Sequence, residues 1–140
     1  MFVLDTNVLS AIMRADPPQR VAMWVSAQSA DLLFTTAVSH AEILSGLAEL
    51  PEGRRRSALE AAARAMFLED FDGRVLPFDM SAAVAYADIF VMRRKIGRAT
   101  PAIDLMIAAI ARSRGARVVT RNVGDFDGCG VGIVDPWQRV

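Results

Sequence analysis

The chain has 140 residues, 53% of them apolar, and its 16 basic side chains balance 16 acidic ones. That length fits one domain with a core that needs no staples, and the apolar share argues against disorder. Balanced charge points to no partner through bulk electrostatics, so any acidic or basic patch must be local.

Residues 2–5 predict a strand, an apolar run ending in Asp5 and followed at once by Thr6 and Asn7. Residues 8–14 predict a short helix that stops before Asp16-Pro17-Pro18. Pro18 opens a second helix with Val21, Trp24 and Val25 on one face. Residues 31–36 predict a second strand. Residues 39–50 carry Ile43, Leu44, Leu47 and Leu50 at a helical period, broken by Pro51-Glu52-Gly53. Residues 54–67 predict a helix with Leu59, Ala62, Ala63 and Met66 facing inward. Val75 and Leu76 make a short strand before Pro77, and residues 81–94 a long helix. Residues 101–113 form a further helix with Ile103, Met106, Ile107 and Ile110 inward, stopped at Gly115. Residues 116–120 predict a strand and 131–134 a last one. Strands separated by helices predict a parallel sheet covered on both faces, in a single domain over residues 1–140.

A carboxylate at the carboxyl end of a buried strand stands where open α/β sheets place their ligands, which singles out Asp5. Glu42 falls in the first turn of the helix after the second strand, and Asp104 in the first turn of the helix opened by Thr100-Pro101. In a parallel sheet these three can converge on one edge. Each has a plainer reading. Asp5 can cap the next helix, and Ser39-His40-Ala41-Glu42 matches a capping box. Asp104 can simply favour the helix dipole. Three like charges on one edge repel, however, and clustered hard oxygen donors suit Mg²⁺ or Mn²⁺. After the strand at 116–120, Thr120 can hold a water or a backbone group. Asn122 can offer an amide oxygen or cap the next turn, and Asp125 can offer a carboxylate.

The ordered set of motifs resembles a PIN domain, and within it the VapC-like ribonuclease toxins of bacterial type II toxin–antitoxin pairs, in their FitB-like branch. The residues that carry the resemblance are Val3-Leu4-Asp5-Thr6-Asn7-Val8-Leu9, Ala41-Glu42-Ile43 and residues 73–79. They continue with Ala102-Ile103-Asp104-Leu105-Met106-Ile107-Ala108-Ala109, residues 120–126 and Asp135-Pro136-Trp137. The resemblance implies a three-layer α/β/α sandwich with a short parallel sheet. It implies a metal-dependent endoribonuclease acting on RNA, a homodimer, neutralised by a cognate antitoxin. The family's acidic positions fall on Asp5, Glu42 and Asp104. Its fourth falls at or near Asn122, an amide here, so Asn122 or Asp125 completes the set.

On this reading Asp5, Glu42, Asp104 and Asp125 are the catalytic candidates, and the first three hold Mg²⁺ or Mn²⁺. A bound ion acidifies a water to make the nucleophile and steadies charge on the phosphate. Thr6, Asn7, Thr120, Arg121 and Asn122 orient the acids or bind phosphate. Arg112, Arg114, Arg117 and Arg121, or Arg93, Arg94, Lys95 and Arg98, can track the RNA backbone or form a solvated face. Arg54-Arg55-Arg56 opens a helix against its dipole, so something else favours it. Fifteen Arg against the lone Lys95 suits phosphate contacts, although coding bias gives the same composition.

Cys129 is the sole cysteine and has no metal-ligand neighbour, and His40 is the sole histidine and reads as a local surface group. The first residues do not read as a signal peptide, and no apolar run is long enough to span a bilayer. A reducing, cytoplasmic setting without membrane contact is therefore expected. Phosphatase or receiver chemistry on Asp5 is disfavoured. The first wants an acid at Asn7, the second paired acids near the start, and both a lysine on the sheet edge. A non-catalytic RNA- or protein-interaction module with the same fold is the competing class.

Overall fold

The computed structural model describes residues 1–138. The apolar start forms strand β1 (Phe2–Leu4), and Asp5 ends it by capping helix α1 (Thr6–Ile12). Helix α2 (Gln19–Ala27) follows the Pro17-Pro18 break. A 3₁₀ turn at Ala30–Leu32 shortens the expected strand at 31–36 to β2 (Leu33–Thr36). Helix α3 (Ala37–Ala48) starts two residues before its expected place, because Thr36 rather than Ser39 is its cap. Helix α4 (Arg54–Ala65) widens into a π turn at Met66–Asp70 and leads to β3 (Val75–Leu76).

Asp79 then caps helix α5 (Met80–Lys95) by accepting from the Ala82 N–H at 2.9 Å. Helix α6 (Ala102–Ser113) has Pro101 at its cap position, with no side-chain cap bond. Thr100, expected as that cap, has its hydroxyl engaged elsewhere. Strand β4 (Arg117–Val119), the short helix α7 (Val123–Phe126) and strand β5 (Ile133–Val134) complete the order.

All five strands are parallel, in the order β3-β2-β1-β4-β5. β1 is central: Phe2 pairs with Leu33 on one side and with Arg117 on the other. Side chains on a strand alternate between faces, so this sheet feeds two cores. Val3 and Val118 face one core, built with Ile89, Ile107, Ile110 and Phe126 from α5, α6 and α7. Leu4 and Val119 face the other, built with Val8, Leu9, Ile43 and Phe67 from α1, α3 and the turn after α4. These are the three layers expected of an α/β/α sandwich.

α5 and α6 pack as an antiparallel pair. Arg114 just beyond the end of α6 meets Asp79 at the start of α5 at 3.5 Å, while Arg93 near the end of α5 reaches Thr100 just before α6. The tail is pinned through Trp137: its carbonyl accepts from Arg20, and the Arg121 guanidinium lies 5.2 Å from its ring centre. Trp24 packs edge-on against Phe2. Among the described residues no helix is long and apolar enough to cross a membrane.

Ile107 is fully buried, whereas Met23 on α2 is 63% exposed. Ile107→Ala should cost about 2–5 kcal/mol, and Met23→Ala less than about 0.5 kcal/mol. Urea unfolding of the two variants beside the parent protein checks both values.

Candidate active site

Parallel strands bring their carboxyl ends to one edge, and three consecutive residues after β1 reach across it. Asp5 is 2% exposed. Its backbone N–H donates to the Val119 carbonyl at 2.9 Å, which fixes it between β1 and β4. Its Oδ1 accepts from the Thr6 N–H at 2.8 Å. Its Oδ2 accepts from the Thr120 hydroxyl at 2.8 Å and from the Asn7 amide at 3.3 Å. The cap reading of Asp5 thus holds, but only one of its oxygens is used that way.

Thr6 turns towards α3. Its hydroxyl donates to Glu42 Oε1 at 2.5 Å and lies 3.0 Å from the buried Ser39 hydroxyl. The capping box expected at Ser39 and Glu42 is absent. The Ser39 N–H is satisfied by the Thr36 hydroxyl at 3.0 Å, so Glu42 is left to face the sheet edge. Asn7 turns towards β4, donating to the Thr120 hydroxyl at 3.2 Å and accepting from the Arg121 N–H at 3.3 Å. Thr120 also accepts from the Asn122 N–H at 2.9 Å, which sets the turn into α7. Asn122 caps α7 by position alone, without a side-chain cap bond, and is exposed.

Asp104, in the first turn of α6, lies near enough to Asp125, in α7, for the Asp125 charge to bear on it. Burial pushes the Asp104 carboxyl up to about 7, and the charges of Asp5, Asp125 and Glu42 add to the rise. Burial also raises the Asp5 carboxyl; the Thr120 hydroxyl and the Thr6 N–H pull it back, while Glu42 and Asp125 push it further. The four acids therefore sense one another, as like charges gathered at one site must. Among the described residues none of the four pairs with a basic side chain. Nor, among those residues, do any three acidic, histidine or cysteine side chains form a cluster that could hold a metal ion as arranged.

The two basic runs singled out in the sequence do not line this edge as blocks. Arg93 is buried, Arg98 pairs with Asp127 at 3.4 Å and Arg114 with Asp79. Arg112 packs on Met92, and Arg117 lies over the Phe2 ring. Only Arg121 stays beside the acids, through its backbone. The groove that opens from Thr6 and Glu42 between α1, α3 and α4 is instead lined by Arg14 and Arg55. Arg14 carries no motif that marks it. Arg55 sits in the run that opposes the helix dipole, and that anomaly was its only signal. His40 stacks on Phe67 with ring centres 4.1 Å apart, so it packs rather than ligates.

The PIN domain family matches this chain over residues 2–127. A VapC ribonuclease, Y4jK of Sinorhizobium fredii, is 38% identical over 138 residues, with 99% of each chain covered. The crystal structure of FitAcB from Neisseria gonorrhoeae superposes with a TM-score of 0.92 at 34% identity, over 99% of this chain and 100% of that one. A member of the VapBC family of toxin–antitoxin systems, VapBC-5 of Mycobacterium tuberculosis, matches with a TM-score of 0.65 at 26% identity, over 94% and 95%.

The raised Asp104 group has a consequence for stability. Between about pH 4 and about pH 7 the folded protein holds a proton on Asp104 that the unfolded chain has lost. A folded state that binds more protons loses stability as pH rises. In chelator, this contribution should therefore fall across that window and level off above it. Asp104→Asn should be more stable than the parent near neutral pH, with the gap closing towards pH 4; urea midpoints across the range test this.

Proposed function

The chain belongs to the PIN-domain family, and from that premise we propose that it is the ribonuclease toxin of a type II toxin–antitoxin pair. It hydrolyses RNA phosphodiester bonds with the help of Mg²⁺ or Mn²⁺ and is restrained by a cognate antitoxin. The observation that carries this reading is the gathering of Asp5, Glu42, Asp104 and Asp125 at the carboxyl edge with, among the described residues, no basic side chain paired to any of them. A protein gains nothing in stability from that arrangement, so its use lies in what it attracts. The ribonuclease name of the relative in Sinorhizobium fredii supports the substrate class. The likeness to VapBC-5 of Mycobacterium tuberculosis, a member of the VapBC family of toxin–antitoxin systems, supports the partner.

The donors fit a hard divalent ion in charge and chemistry, being carboxylate oxygens with an amide nearby. Asp5, Glu42 and Asp104 would hold it, with Asp125 or Asn122 as the fourth donor. Such an ion supplies an acidified water as nucleophile and positive charge for the phosphate. Everything else falls to the chain. Thr120 and Asn7 aim one oxygen of Asp5, and Thr6 aims Glu42, by neutral bonds that leave the negative charge intact. Asp104, whose carboxyl is pushed up to about 7, must give up its proton before it can ligate, so ion binding near neutral pH releases a proton. Asn122 is exposed at the rim, where its amide can meet the RNA. Arg14 and Arg55 supply, in the adjoining groove, the positive charge that a polyanion needs near an acidic site.

The homodimer finds support in Val84 and Val91, two exposed apolar side chains seven residues apart on α5. A toxin that cleaves RNA acts where RNA is made and translated, which puts it in the cytoplasm.

Cleavage of cellular RNA in Mn²⁺ tests the reading. Loss of a side chain that merely orients a ligand costs about 10–100-fold, so Asp5→Asn, which removes the ligand itself, should cost at least about 100-fold. Thr120→Val should fall within that 10–100-fold range. Chelator should abolish the activity. Cleavage that persists in chelator or in Asp5→Asn would rule the metal scheme out, and tight antitoxin binding with no cleavage would favour a binding module.

A further inference from the structure

The charged side chain buried most deeply after Asp5 is Arg93, 3% exposed in the last turn of α5. At that position a basic side chain ordinarily points to water and favours the helix dipole, as the neighbouring Arg94 and Lys95 do. Arg93 turns inward instead, and among the described residues no carboxylate pairs with it. Asp127, which meets it through its carbonyl, gives its carboxylate to Arg98 at 3.4 Å. Every acceptor on Arg93 among the described residues is a neutral oxygen. Its Nε donates to the Thr100 hydroxyl at 2.5 Å, and its Nη1 to the Asp127 carbonyl at 2.6 Å and the Gly124 carbonyl at 3.2 Å.

Those acceptors belong to two segments far apart in the chain. Thr100 stands four residues before Asp104, at the entry to α6. Gly124 and Asp127 bracket Asp125 in and after α7. The four-residue α7 lacks a side-chain cap and is held otherwise by the buried Phe126. A planar guanidinium with donors in fixed directions sets the spacing between the two segments, which an ammonium cannot do. Taking a cation out of water without an anion is costly, so core filling does not account for it.

We infer that Arg93 is a positioning residue of the active site, a brace that fixes the spacing between the carriers of Asp104 and Asp125, two of the acids proposed to serve the ion. This rests on the metal-dependent reading given above. It acts through backbone and a hydroxyl, and leaves the charge of the acids untouched.

The test is Mn²⁺ binding to the purified full chain, followed by electron paramagnetic resonance, with thermal unfolding in chelator and amide hydrogen exchange alongside. Arg93→Lys keeps the charge and loses the fork. It should weaken Mn²⁺ about 10–100-fold, the range for losing a group that orients a ligand, and speed exchange at Gly124 and Asp125. The KM for RNA should stay unchanged. Thr100→Val removes one acceptor and leaves the arginine in place, so it decides the matter where the lysine variant does not fold. It should weaken Mn²⁺ about 2–10-fold, the worth of one net hydrogen bond. If both folded variants melt lower yet bind Mn²⁺ as tightly as the parent, Arg93 is only a structural staple and the inference fails alone. If the parent itself binds no Mn²⁺, the metal-dependent reading fails and the inference with it.

Discussion

Placing four carboxylates on one sheet edge, with no cation paired to them among the described residues, is the constraint to which the rest of this structure answers. The charges of Glu42 and Asp125 add to the burial that raises the proton affinity of Asp5 and Asp104. The repulsion has to be absorbed by something rigid. Here it is the central strand: Asp5 is tied by its backbone to β4 and by its side chain to Thr120, with largely buried strands on both sides. A parallel sheet covered on both faces provides that rigidity through short strands paired on either side.

The way the acids are held follows from the same constraint. An arginine bound to any of them would fix its position well, but it would also cancel the charge that draws an ion. Thr6, Asn7 and Thr120 hold their acids by hydroxyl and amide donors instead. One turn of chain after β1 therefore organises two sides of the site. Asp5 and Asn7 work against the segment after β4, and Thr6 works against α3. The positive charge for a polyanion is kept at a distance, on Arg14 and Arg55 in the groove beyond Glu42.

The layers, the parallel sheet and the edge on which Asp5, Glu42 and Asp104 meet were legible in the sequence, because apolar period and strand–helix alternation are local signals. Boundaries were less so. β2 begins at Leu33 because that is where pairing with Phe2 begins, and pairing is not written in the segment itself. Ser39 and Glu42 match a capping box at the right spacing. Yet Thr36 takes the N–H that the box would need, and Thr6, far away in the chain, takes the carboxylate. The nearness of Asp104 to Asp125, and the raised Asp104 carboxyl that goes with it, was equally out of reach, since it depends on α6 arriving beside α7.

Arg93 shows why composition misleads about basic clusters. Arg93-Arg94-Lys95 reads as one solvated run at a helix end, yet its first member lies in the core while its neighbours stay outside. A helix turns about 100° per residue, so adjacent residues necessarily face different surroundings. What decides their fates is the partner on each side. On the inner side of α5 the partner is the start of α6 together with the segment around α7, whose carbonyl and hydroxyl oxygens need donors. Those two segments carry half of the acids. A neutral donor there would satisfy the oxygens one at a time, whereas a guanidinium satisfies three at once and fixes their spacing. The acids are thus braced from both sides, by hydroxyls and amides near β1 and by a buried cation behind α6, and neither brace neutralises them.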